Sequence, residues 1–146
     1  MNLENDLITA RSRLLKNNLS FVIVKHGKIV FETKSKGIRM LLEAISTYQK
    51  EVEGASIADK VVGKAAMFLI IRARIKSVYA KVISTAALEL ASSNDVSVLY
   101  DRMVKCILNK ARSDTCPFEK MVENVSSTEQ AFQILRDVVY GKTVVS

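Results

Sequence analysis

Hydrophobic positions along this chain change period several times, and each change marks a predicted element. Leu3, Leu7, Ile8, Leu14 and Leu15 recur at helical spacing, which predicts an amphipathic helix over residues 3–17 ending near Asn17-Asn18. Phe21-Val22-Ile23-Val24-Lys25 follows, then His26-Gly27, then Lys28-Ile29-Val30-Phe31-Glu32. Two β-rich runs joined by a two-residue turn containing glycine predict an antiparallel hairpin. Lys36-Gly37 interrupts the pattern, and Ile38, Leu41, Leu42 and Ile45 restore a helical stripe to about Gln49.

From Gly54 onward, strand and helix patterns alternate. Ala55 to Ala58 reads as a short buried strand, and Asp59 as the cap of a helix carrying Val61, Val62, Ala65, Ala66, Phe68, Leu69 and Ile70. A helix apolar on nearly every side is a central, covered one. Ser77 to Ile83 predicts a strand, Ser84 to Ala91 a helix capped by Ser84, and Val96 to Tyr100 another strand. Met103, Val104, Ile107 and Leu108 suggest one or two helical turns before a loop over 110–115. Pro117 suits the first turn of a short helix, where its missing N–H costs nothing. Ser127 with Gln130 predicts a capping box for a last helix that carries Phe132, Leu135 and Val139 and stops at Gly141. Strands alternating with helices imply right-handed crossovers and a mainly parallel sheet. With no linker, repeat or low-complexity tract, one α/β domain over 1–146 is expected, residues 1–19 forming a helix packed on the sheet.

A chain of 146 residues buries roughly 68–70% of its extended surface, so the core needs no metal or disulfide staple. No uncharged apolar stretch approaches the length of a membrane span; the longest candidate is Ala65 to Ile71. Glu4 and Asp6 stand where a secretory signal would be basic, which makes a cytoplasmic location the expectation, with Cys106 and Cys116 reduced. The net charge of +7 is spread along the chain with no block of like charges. Its nearest cluster, Arg72, Arg74 and Lys76, fits a solvated loop between helix and strand. Charge so distributed speaks for solubility before it speaks for nucleic acid, and it leaves self-association open.

The order helix, hairpin, helix, strand, helix, strand, helix, strand resembles the cytidine-deaminase-like fold. Ala58-Asp59-Lys60-Val61-Val62-Gly63-Lys64-Ala65-Ala66, Tyr79-Ala80-Lys81-Val82-Ile83-Ser84 and Cys116-Pro117-Phe118-Glu119-Lys120 look like the signature segments of a bacterial and archaeal domain family with that fold and no assigned function. The resemblance runs from about Phe21 to about Val139. It implies a three-layer α-β-α sandwich whose mixed sheet has an N-terminal antiparallel hairpin followed by mainly parallel strands. Working zinc deaminases carry a His or Cys ligand followed by a proton-transferring Glu, and a Pro-Cys-x-x-Cys turn. Here the corresponding positions read Ser35-Lys36-Gly37-Ile38-Arg39 and Ala58-Asp59-Lys60-Val61-Val62, neither with a soft ligand. The single histidine, His26, lies in the hairpin turn, so neither bound zinc nor histidine-based catalysis is expected, and no cofactor is implied.

Three constellations could carry chemistry. Lys60 and Lys64, four apart behind Asp59, would share one face at a helix start, where free amides favour an anion such as phosphate; two solvated lysines and a capping aspartate are the plain alternative. Lys81 inside an alternating strand should reach a crevice at the strand ends beside Ser84, an ion pair with Asp59 being the plain alternative. Cys116, just before a helix start, could be an activated nucleophile with Glu119 as its base; an inert thiol and a capping carboxylate are the alternative. Together these residues predict a pocket for a small anionic ligand, a nucleotide or a phosphorylated metabolite. The competing readings are an enzyme using Cys116 or a lysine as nucleophile, and a non-catalytic interaction or nucleic-acid-binding module.

Overall fold

A computed structural model describes residues 3–141. Its elements are α1 (Leu3–Lys16), β1 (Phe21–Lys25), β2 (Lys28–Thr33), α2 (Ile38–Thr47), α3 (Gln49–Val52), β3 (Ser56–Val62), α4 (Lys64–Arg72), β4 (Ser77–Ser84), α5 (Thr85–Ser93), β5 (Ser97–Val104), α6 (Pro117–Val122) and α7 (Thr128–Tyr140). The five strands form one mixed sheet in the order β2-β1-β3-β4-β5. β1 runs antiparallel to both β2 and β3, while β3, β4 and β5 are parallel. The observed architecture is the α/β sandwich with an N-terminal hairpin that the resemblance implies.

Alternation along the central strands builds both faces. Val22, Val24, Ala58 and Tyr79 meet Ala10, Leu14 and Leu19 in a core beneath α1. Phe21, Ile23, Ile57, Val78 and Ala80 point the other way, into the larger core with Leu41 and Leu42 of α2, Phe68 and Leu69 of α4, and Leu135 of α7. α4 is the covered helix that its all-round apolar pattern predicts, with Ala65 through Ile70 all buried. Among the described residues no helix is long and apolar enough to cross a membrane.

The hairpin turn has His26 at φ 53° and Gly27 at φ 76°, the left-handed pair that a two-residue turn needs to follow the strand twist. α1 grips this turn. The buried Asp6 carboxylate accepts the N–H groups of His26 and Gly27, each at 2.9 Å. Further along the same helix, Arg13 forms a two-pronged bond to Glu32 of β2, at 2.7 and 3.1 Å.

Three expectations need correction. β3 continues through Asp59, Lys60, Val61 and Val62, so Asp59 caps no helix and α4 starts at Lys64 behind Gly63. The β-branched pair Val61-Val62 remains in register with Val82 and Ile83 of β4, and ladder pairing outweighs the helical pattern. β5 likewise runs on to Val104, because Met103 and Val104 pair with Ile83 and Ser84. Ile107 and Leu108 therefore lie in a loop, closed by an isolated bridge from Leu108 to Thr115, and form no helical turn. The stripe that predicts one helix to Gln49 is interrupted at Tyr48, and Gln49–Val52 is a separate turn. The caps at Ser84 and Ser127 are present, each hydroxyl accepting a backbone N–H at 3.2 Å.

Asp6→Ala should lower stability by about 1–3 kcal/mol, since two turn amides lose their charged acceptor. The urea midpoint should fall with an unchanged slope; an unchanged midpoint would show that the turn holds without α1.

Candidate functional site

Beyond the carboxyl end of β3, where open α/β sheets bind ligands, lies a crevice of about 590 Å³. The starts of β1, α2 and α4 form its floor and sides, with Phe21, Ile38, Leu41 and Ala66 among their contributions. Its opposite wall comes from far along the chain: Ile107 and Leu108 of the loop, then Cys116, Pro117, Phe118 and Glu119 at the start of α6.

Glu119 fixes that wall. Gly63, the N-cap of α4, has no side chain with which to satisfy the helix's first amides. Glu119 supplies the acceptors instead: Oε1 receives the N–H of Lys64 at 2.7 Å and Oε2 that of Ala65 at 2.8 Å. A full carboxylate thus sits at the positive end of the helix dipole. Gly63 is required by proximity, its φ of −99° being open to any residue. A β-carbon there would lie 2.5 Å from the Glu119 carboxyl. Lys64 adds a second clasp, its ammonium donating to the carbonyl of Glu123 at 3.0 Å. Lys120 pairs with Asp114 and ties α6 to the preceding loop.

Asp59 stands inside the crevice, in register with Phe21 on one side and Ala80 on the other. The residue is half-buried, but its carboxyl is closely surrounded by protein, and this burial pushes its pKa up to about 7. Backbone N–H groups of Val61 and Lys60 pull the other way without cancelling the effect. Near neutral pH the group can therefore donate or accept a hydrogen bond. Cys116, half-buried, lines the same crevice. Three lysines, Lys36, Lys60 and Lys110, also contribute to the lining, Lys60 bound to the Asn18 side-chain oxygen at 2.5 Å.

Asp59, Lys60, Cys116 and Glu119 therefore meet around one cavity. The other expected members do not. Lys60 is on a strand and Lys64 on a helix, so they share no helical face. Asp59 is registered with Ala80, and alternation sends the next residue of β4, Lys81, to the opposite face, where it is exposed and unpaired with Asp59. Ser84 is buried and spends its oxygen capping α5 through the Ala87 N–H. Among the described residues, no group of three or more His, Cys, Asp or Glu is placed to hold a metal. The apolar lining is not legible in the sequence, because Ile107 and Leu108 read as helical turns, Phe21 as part of a hairpin strand and Ile38 as part of a helical stripe. Glu119 reads from sequence as a base for Cys116 or as a cap of its own helix, and with the helix placed behind Asp59 nothing marks Gly63 as a start that needs an acceptor from elsewhere.

These features describe a mixed α/β sandwich with a ligand-sized crevice beyond its sheet and a second chain segment closing that crevice. The chain belongs to the domain-of-unknown-function family DUF1893 (TM1506), whose pattern matches residues 9–139. A crystal structure of a DUF1893 family protein (TM1506) from Thermotoga maritima is similar, with 30% identity and a TM-score of 0.86 over 94% of this chain and 92% of that one. A diaminohydroxyphosphoribosylaminopyrimidine deaminase/5-amino-6-(5-phosphoribosylamino)uracil reductase from the same organism has 17% identity and a TM-score of 0.46, over 68% of this chain and 36% of its own length. No curated protein matches the chain.

Gly63→Ala and Glu119→Ala should each destabilise the fold by about 1–3 kcal/mol, through loss of the carboxylate–amide bonds. With Glu119→Ala already present, Gly63→Ala should cost almost nothing; additive losses would separate the two residues. Asp59 carries its own pH signature. Folded protein holds this proton to about pH 7, whereas the unfolded chain releases it near 3.8, so the group destabilises the fold as pH rises between those values. Asp59→Asn should thus raise stability above pH 7 by about 1–3 kcal/mol, less than the full shift implies because crevice water screens the charge. It should change little near pH 4; an equal effect at both pH values would contradict the shifted pKa.

Proposed function

We propose that the crevice binds a small planar, hydrogen-bonding ligand carrying an anionic tail, a nucleotide or comparable phosphorylated metabolite. The observation that carries this reading is Asp59, poised near neutral pH inside a cavity of about 590 Å³ with largely apolar walls. Sites for small ligands combine apolar lining with a few converging polar groups, in cavities of roughly 300–1,000 Å³. Phe21 and Phe118 among the lining suit a flat heterocycle, with Asp59 to read its polar edge. The phosphate belongs near Lys36 and Lys110, both exposed. It does not belong at the start of α4, because Glu119 already fills that seat. The family assignment carries no reaction, and binding is the function proposed. Thiol chemistry is a second reading, favoured by one observation: Cys116 lines the same crevice as Asp59.

A thermal-shift panel of nucleosides, nucleotides, sugar phosphates and inorganic phosphate tests the proposal. At a hundred times Kd a native-state ligand adds about 2.7 kcal/mol, a melting shift of very roughly 5–10 °C for this size. A nucleotide or similar compound should stabilise, inorganic phosphate alone should not, and Lys36→Ala/Lys110→Ala should reduce the effect. In a Cys106→Ala background the stabiliser should also slow alkylation of Cys116. A panel without any stabiliser, or a stabiliser that leaves Cys116 equally reactive, would overturn the crevice reading and favour an interaction module.

A further inference from the structure

A second cavity, of about 650 Å³, opens at the other end of α4, between the ends of α2 and α3 and the side of α7. Four cations line it, Lys50, Arg72, Arg74 and Arg136, against one carboxylate, Glu53. Two of the guanidiniums gather about a single ring: Arg72 lies 3.7 Å from the centroid of Phe132 and Arg136 lies 5.6 Å from it. Arg72 is further fixed by a two-pronged bond to Glu129 at 2.9 and 3.3 Å. Stacking and pairing hold that guanidinium in place before any ligand arrives.

Compensation of helix carbonyls explains only part of this charge. Arg72, in the last turn of α4, serves that purpose. Arg136 stands outside the last turn of α7 and has no carboxylate partner among the described residues. Arg74 is stranger. It holds φ at 64°, just past the end of α4, where glycine or asparagine is the usual occupant because a β-carbon costs about 1–2 kcal/mol. Its carbonyl accepts the N–H of Gly54 at 2.7 Å, which locks the strained backbone. Its guanidinium lies 3.6 Å from Glu53, outside hydrogen-bond range, and so retains donors for another acceptor. Arg112 shares this conformation in an exposed loop, so what distinguishes Arg74 is its place in the lining of a cavity already rich in arginine.

We infer that this cavity is a second binding site, separate from the crevice, for a small molecule bearing a diphosphate or two closely spaced phosphoryl groups. Planar guanidiniums match phosphoryl oxygens in pairs, and two such groups answer the excess of positive charge. The volume leaves room for an organic body beside the phosphates.

The test uses the intact chain and inorganic diphosphate, titrated by calorimetry at physiological ionic strength. Saturable binding of one diphosphate per chain is expected. Arg74→Ala/Arg136→Ala should weaken it at least about tenfold, while Lys28→Ala/Lys81→Ala, which removes the same charge elsewhere, should leave it within about twofold. Arg74→Gly separates ligand role from fold role: it relieves the positive φ, so the melting temperature should hold or rise while affinity falls. Lys36→Ala/Lys110→Ala, which removes the charges assigned to phosphate in the crevice, should leave diphosphate binding within about twofold, and loss of binding in that variant would move the diphosphate to the crevice and overturn this site. Equal weakening by both double variants would mean a diffuse field and overturn the proposal. Absence of saturable binding, or preferential capture of a single-stranded oligonucleotide by the same arginines, would overturn it too.

Discussion

The carboxylate of Glu119 closing on the first two amides of α4 is the contact on which the candidate site depends. It joins residues 54 and 55 positions apart in the chain. Without it the start of α4 would present unpaired donors to the crevice, and α6 would have lost its firmest hold on the sheet domain's central helix. The bracket uses both oxygens of the carboxylate and requires that Gly63 carry no side chain. A short helix and a loop thereby become a wall. The clasps from Lys64 to Glu123 and from Lys120 to Asp114 act on the same segment.

That arrangement also sets which groups line the crevice. At the crevice, α2 starts at Gly37-Ile38 and α4 at Gly63-Lys64. The second start is closed by a carboxylate from within the chain, which removes the seat a phosphate would use. What remains is an apolar space with one poised carboxyl, Asp59, a thiol, and lysines among its lining. The proposed recognition there rests on shape, on hydrogen bonding to Asp59 and on charge on the lysines.

Much of the fold is legible in the order of periods. The hairpin, the buried α4, the cap at Ser84 and the proline-led α6 all follow from local patterns, because each is decided by residues within one turn or one pair of strands. Two of the three departures share one cause. Asp59 to Val62 and Met103-Val104 have helical spacing, but parallel pairing with β4 claims them, and such pairing is not visible in a local window. The site was legible in composition and not in geometry: Asp59, Lys60, Cys116 and Glu119 were recognisable as chemistry-bearing, and they do meet. Their roles were not, since Glu119 serves a helix 54 residues away from its own position and Lys81 faces the opposite side of the sheet.

Hydrogen exchange at the amides of Lys64 and Ala65 tests the bracket most directly. First-turn amides of a helix ordinarily lack intrahelical partners and exchange readily. Held by Glu119, these two should exchange as slowly as amides of the central strands, and they should lose that protection in Glu119→Ala while the amides of β3 retain theirs. Rapid exchange at both positions in the unmodified protein would show that the carboxylate does not close on the helix and that the crevice has no fixed wall.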